Sequence, residues 1–326
     1  MDIQILLFLQ NFRNGAGSFL TTPTVLFTDI AAYGSAICTI VIYWAVSRSL
    51  GYWLMANVVS GFFINNVLKL TACIYRPWIR SPQIIPPEKA LKSATGYSFP
   101  SGHTQIAASF FGSLAVRIDE DRRPLRAVCV VFILLTGFSR CFLGVHTPQD
   151  VLVSIAVAAV LIRALGLLFR KISENPSLLY YSVAVGIIIA VAAILYFYIK
   201  AYPMDYLDGD LIVDPEEMTM DGYAAAGVML GVLAGAAVEV RFIRFGTECT
   251  ILCRVLRILT GIPVPLIFIK VIKPLVYDVI GEGAGHVLVY GLLLFYIVAL
   301  HPALFTAVEK RTGASDPKNT EKSEGT

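Results

Sequence analysis

Between residues 24 and 307 the chain runs through nine apolar stretches, each closed off by charged or turn-forming residues. They fall at 24–47, 52–75, 102–117, 125–143, 147–169, 178–200, 222–240, 250–272 and 285–307. A helix that crosses a bilayer needs about 20 mostly apolar residues, and inside the bilayer it must satisfy its own backbone groups. The pattern therefore predicts an all-α, polytopic transmembrane helical bundle of about nine spans, of which the stretch at 102–117 is the shortest. Of the 326 residues 56% are hydrophobic and 15% charged, which excludes an ordinary soluble domain.

The opening MDIQILLFLQNFRNG has an apolar centre but neither a basic leader nor a small-residue cleavage site. It predicts a short interfacial helix rather than a cleaved signal. Six cysteines, at 38, 73, 129, 141, 249 and 253, lie in or beside apolar runs without framework spacing, so free buried thiols are expected. Cys249 and Cys253 are one turn apart but have no further soft ligand nearby, which favours packing over zinc.

Charge sets a direction. Arg48, the Arg117 to Arg126 cluster, Arg163, Arg170, Lys171, Arg241, Arg244, Arg254, Arg257, Lys310 and Arg311 fall on one set of loop ends. The opposite set includes 201–221, which carries Asp205, Asp208, Asp210, Asp214, Glu216, Glu217 and Asp221 without a Lys or Arg. The positive-inside rule then predicts the N-terminus outside and the C-terminus inside. Residues 1–200 hold the dense polar motifs and read as the core, 201–312 as additional helices, and 313–326 as a disordered cytoplasmic tail.

Three polar patches interrupt the apolar pattern. In KLTACIYRP, Lys69 and Arg76 would share one helix face about 10 Å apart if the helix continues that far, with Pro77 helping to end it. In GYSFPSGHTQ, Pro100 and Gly102 break the chain and Ser101 can cap the helix that starts beside His103, which makes an anion site at a helix N-terminus. In SRCFLGVHTPQD, Thr147 as cap, Pro148 as first residue and Asp150 in the first turn start a helix. There Asp150 also lies four residues after His146, close enough to orient it. Helix parity places all three patches on the extracytoplasmic side. Lys69, Arg76 and Arg140, a helix N-terminus and two histidines suit one task in particular: holding a phosphate while one histidine attacks phosphorus and the other protonates the leaving oxygen.

These motifs, K-x6-R-P, P-S-G-H and S-R-x5-H-x3-D, resemble the signature of the type 2 phosphatidic acid phosphatase superfamily, with every fixed position present over about residues 50–170. The span count is similar to the glucose-6-phosphatase branch. The resemblance implies that His146 is the nucleophile of a phosphohistidine intermediate, that Asp150 orients it and that His103 protonates the leaving group. It implies phosphate binding by Lys69, Arg76, Ser101, Gly102 and Arg140, with no metal or other cofactor.

A site at the membrane surface suits a lipid phosphate or prenyl (di)phosphate, with Trp78, Ile79, Pro82 and Phe99 near its chain. No nucleic-acid partner is expected, and a bacterial plasma membrane is the expected location. Two alternatives use the same residues: a lipid phosphotransferase that passes the phosphoryl group to an acceptor hydroxyl, and a phosphate-lipid transporter. Asp29 reads as an interfacial or helix-paired carboxylate, His286 and His301 as bonded within the bundle, and Gly261, Pro263 and Pro265 as a kink or break in the eighth span.

Overall fold

The computed structural model describes residues 2–207 and 209–312. The expectations for Asp208 and for a disordered tail at 313–326 lie outside the described residues. The helices are α1 (Asp2–Ala16), α2 (Phe19–Val46), α3 (Arg48–Ala72), the short α4 (Pro77–Arg80) and α5 (Glu88–Leu91), α6 (Gly102–Arg117) and α7 (Arg123–Phe142). They continue with α8 (Pro148–Glu174), α9 (Leu178–Ile199), α10 (Pro215–Ile243), α11 (Ile251–Ile280) and α12 (Glu282–Thr312). A two-stranded antiparallel hairpin pairs Tyr206 with Leu211 and Leu207 with Asp210 in the acidic loop.

Among the described residues, eight helices are long and apolar enough to cross a membrane. The expected ninth, at 102–117, is a helix of 16 residues, roughly 24 Å long. Pro100 and the polar cap bound it at one end and the Ile118–Asp119 turn at the other, so it is shorter than the other eight. The break expected in the eighth span is present, with a helical segment ending at Gly261 and the next starting at Pro263.

The chain divides into two compact units. One comprises Met1–Ile37, Ala56–Leu168 and Ile199–Gly222. In it α6 and α7, joined by a short loop, pack along one another, and Phe27, Phe132 and Phe111 stack at 5.8 and 4.8 Å. Gly61 lets α3 and α6 meet: a Cβ there would come within 2.3 Å of the Ser109 hydroxyl. From α1, Arg13 donates to the carbonyls of Phe142 and Ile85 at 2.8 and 2.6 Å, while Leu6 joins Ile84, Cys141 and Val151 in an apolar cluster. The turn between α7 and α8 is thereby held from behind. Lys200 bonds the carbonyls of Leu70 and Thr71 at the end of α3, and Tyr75 donates to Asp205 at 2.6 Å. These contacts anchor the acidic segment to the first motif.

The other unit comprises Cys38–Met55, Phe169–Tyr198 and Tyr223–Thr326. Its centre is a buried bidentate pair, Arg257 with Glu309, both contacts at 2.7 Å. The remaining guanidinium nitrogen donates to the carbonyls of Trp44 and Gly246. Such a pair tolerates burial because its donors and acceptors are matched. His301 contacts the Arg257 carbonyl and His286 that of Glu282, both at 2.8 Å. All six cysteines are free, but only four are buried; Cys38 is exposed and Cys73 half-buried, since a thiol on an apolar helix suits an outward face as well as a core.

Candidate active site

The three motifs meet in the first unit, at the ends of α3, α6, α7 and α8. α3 stops at Ala72, where Cys73 takes a left-handed φ of 49° and its N–H bonds the Lys69 carbonyl at 3.0 Å. Arg76 precedes a proline, which disfavours helix, and is extended at φ −62°, ψ 154°. Lys69 and Arg76 therefore do not share a helix face as expected, and Pro77 opens α4 instead of closing α3. The connector turns the Arg76 side chain inward. It is buried, and it donates to Gly96 O at 3.1 Å, Thr95 O at 2.7 Å and Val145 O at 3.0 Å.

Gly96 makes that arrangement possible. Its φ is 59°, and a Cβ there would lie 1.6 Å from the Met218 sulfur. Gly96→Ala is expected to cost about 1–2 kcal/mol through the left-handed backbone, seen as a lower apparent Tm in detergent. Adding Met218→Ala should relieve the steric part and leave the backbone part.

Ser101 caps α6, its hydroxyl accepting from Thr104 N. Its own N–H bonds the Asp150 carbonyl at 3.2 Å, and its carbonyl accepts from Ser154 at 2.9 Å, so the α6 start is tied to α8. Helix geometry leaves the N–H groups of Gly102 and His103, the first two of α6, without intrahelical partners.

At the α8 start, Thr147 caps as expected. One oxygen of Asp150 accepts from Thr147 N at 2.9 Å, from the Ser98 hydroxyl at 2.5 Å and from His146 Nδ1 at 3.3 Å. The other ring nitrogen, Nε2, lies 2.9 Å from Arg76 Nη1. Arginine only donates, so Nε2 accepts and the ring proton sits on Nδ1. Burial and the adjacent Arg76 hold this imidazole well below the usual histidine range. His146 is thus neutral near pH 7, with its Nε2 lone pair directed at the cation cluster.

Arg140 is fully buried, and none of its guanidinium nitrogens has a hydrogen-bond partner among the described residues. Lys69, half-buried on the last turn of α3, lies within the electrostatic reach of Arg76, Asp221, Asp150 and Arg140. Three cations around a neutral imidazole suit a multiply charged anion.

His103 completes the group from the first turn of α6. It faces Arg140 and Lys69, and its Nε2 lies 3.1 Å from Asp29 Oδ1. The structure thus brings together Lys69, Arg76, Ser101, Gly102, His103, Arg140, His146 and Asp150. It adds two residues that sequence reasoning did not place there, Ser98 and Asp29. Ser98 carries no sequence signal. Asp29 did have one, as the only charged residue between Phe19 and Val46. Among the described residues, no group of three or more His, Cys, Asp or Glu could hold a metal ion.

Comparison with known proteins bears on the same region. The PAP2 superfamily profile matches residues 49–174, and a profile described as PAP2 superfamily phosphatase, transmembrane extension, matches residues 223–313. Undecaprenyl-diphosphatase BcrC of Bacillus subtilis (strain 168) is 32% identical over 160 residues, 48% of this chain and 77% of that protein. Phosphatidylglycerophosphatase B of Escherichia coli (strain K12) is 36% identical over 80 residues, 24% of this chain and 31% of that protein. No solved structure matches the chain.

Proposed function

Because the chain belongs to the PAP2 superfamily, we propose that it hydrolyses a lipid phosphate or prenyl (di)phosphate through a phosphohistidine on His146. The observation that carries this reading is Arg140, whose three guanidinium nitrogens are buried without hydrogen-bond partners among the described residues, beside the His146–Asp150 pair. A buried guanidinium left unpaired costs several kcal/mol, and a phosphoryl group would supply what it lacks.

The geometry supports a two-step reaction. The phosphoryl oxygens enter among Arg140, Arg76, Lys69 and the N–H groups at the start of α6, held by Ser101 and Gly102. Arg76 turns its hydrogen bond from Nε2 to a phosphoryl oxygen, which frees the Nε2 lone pair. As the bond from Nε2 to phosphorus forms, the bond to the leaving oxygen breaks and His103 gives that oxygen a proton. Asp150 holds the Nδ1 proton throughout and stabilises the charge that develops on the ring. Water then attacks phosphorus, His103 takes its proton, and the phosphorus–nitrogen bond breaks.

An amphiphilic substrate suits the surroundings. Trp78 and Ile79, half-buried, follow Arg76, and the Trp78 ring lies 5.8 Å from its guanidinium carbon. Half-buried Phe99 and exposed Pro82 add apolar surface. The relatives named an undecaprenyl-diphosphatase and a phosphatidylglycerophosphatase support the same substrate class. In this reading residues 1–200 carry the chemistry and 201–312 are the added helices. The bias of Lys and Arg to the opposite loop ends supports a site on the extracytoplasmic face of a bacterial plasma membrane and a C-terminus inside, with α6 counted as a short ninth crossing.

The test is phosphate release by the purified protein across lipid, prenyl and sugar phosphates, with and without a chelator. Release from the lipid-linked substrates that survives chelation is expected. Release from sugar phosphates alone would overturn the substrate class, and phosphate delivered only to added alcohols would make the protein a transferase.

A further inference from the structure

We propose that Asp29 is the positioning residue of the leaving-group histidine, holding His103 Nε2–H so that Nδ1 is the atom that exchanges protons with leaving oxygen and water. The proposal rests on the hydrolytic reading above. Asp29 is the only charged residue from Phe19 to Val46, and an ionisable group in a span persists where it has a partner or a task. Its carboxylate oxygen lies 3.1 Å from Nε2, with the two side chains 33% and 10% exposed. A carboxylate accepts, so Nε2 carries the proton in this contact and Nδ1 is the ring nitrogen left for proton exchange.

The local backbone fits that role. A π-helical turn, Ile30–Gly34, begins directly after Asp29, an irregularity that recurs at functional sites. It presents Tyr33, whose ring meets the His103 imidazole edge to face at 5.5 Å. The imidazole is therefore fixed from two positions of one helix. The charged and titratable groups that face it are Asp29, Tyr33, Lys69 and Arg140. Burial, Arg140 and Lys69 oppose an imidazolium there, and Asp29 is the counter-charge that favours it. Arg140, though near, has no hydrogen bond to Asp29, so the carboxylate is committed to the histidine.

Both steps balance. The proton on Nδ1 passes to the leaving oxygen as its bond to phosphorus breaks, leaving neutral His103 with Nε2–H still on Asp29. In the second step Nδ1 takes a proton from the attacking water as the phosphorus–nitrogen bond breaks, which restores the imidazolium. The site would hold two histidine–aspartate pairs, one orienting the nucleophile and the other the proton carrier.

The experiment compares kcat/KM of wild type, Asp29→Asn and Asp29→Glu on two substrates, an aryl phosphate with an acidic leaving group and a short-chain alkyl lipid phosphate. A weakened general acid matters most where the leaving oxygen is basic. Asp29→Asn should lose about 10- to 100-fold on the alkyl substrate and less than about threefold on the aryl one, with Asp29→Glu recovering part of the loss. In a His103→Ala background, Asp29→Asn should add less than about twofold. Equal losses on both substrates, or a loss additive with His103→Ala, would make Asp29 a structural residue and overturn the proposal. Activity that persists in His146→Ala would instead overturn the phosphohistidine reading, and this proposal with it.

Discussion

His146→Ala is expected to lose phosphate release by about 10³-fold or more on every substrate, because it removes the atom that bonds phosphorus in the proposed mechanism. The geometry makes the prediction specific. Nε2 bears a lone pair that accepts from Arg76, while Nδ1 is committed to Asp150. No other imidazole is placed this way, since His103 is turned to Asp29 and His301 and His286 bond backbone carbonyls in the other unit. Rapid acid-free quenching of wild type with labelled aryl phosphate should trap a phosphoenzyme that is stable in base and labile in acid. His146→Ala should form none, and His103→Ala should form it from the aryl substrate yet turn it over slowly. A phosphoenzyme in His146→Ala would show that another group is the nucleophile. Asp150→Asn offers a finer reading: the carboxylate oxygen that takes three hydrogen bonds becomes an amide, so the ring proton loses its fixed position and the rate should fall with the fold intact.

Much of this site was legible in the chain because its determinants are local. Thr147, Pro148 and Asp150 form a helix start within four residues, and the same residues place the carboxylate one turn from His146. Ser101 before Gly102 is a cap that neighbouring residues suffice to build. The spans were legible for a similar reason, since hydropathy is a sum over neighbours. What the sequence left open depends on backbone angles or distant partners. The left-handed turn at Cys73 leaves no compositional trace, so Lys69 and Arg76 read as one helix face although a connector separates them. Hydropathy could not tell that α6 ends after 16 residues, because a half-buried helix and a short span look alike. Asp29 was visible as an anomaly, but its partner lies 74 positions away. Met218 against Gly96 is a contact of the same kind, between a loop glycine and a side chain that no local pattern links to it.

Arg140→Met separates binding from folding more sharply than any other substitution here. Arg140 is fully buried, its guanidinium nitrogens lack hydrogen-bond partners among the described residues, and the charges around it are of both signs, Arg76 and Lys69 against Asp29. In the free protein this guanidinium is a cost, and a similar-sized apolar side chain should leave stability unchanged or raise it by about 1–4 kcal/mol. Catalysis should move the other way. In the proposed site Arg140 is a donor fork to the phosphoryl oxygens; losing one such donor costs about 10²–10³ in rate, and the loss here includes a full charge. Arg140→Lys should restore charge but not the fork, and so recover only part of the rate. Phosphate or vanadate should raise the apparent Tm of wild type in proportion to its occupancy of the site, and should do so far less in Arg140→Met. Were the methionine variant less stable and equally responsive to phosphate, Arg140 would be a packing residue and the anion site would have to be rebuilt around Arg76 and Lys69. Stability kept and activity lost would instead identify the guanidinium as a group the fold carries at its own expense, for the phosphoryl group it holds.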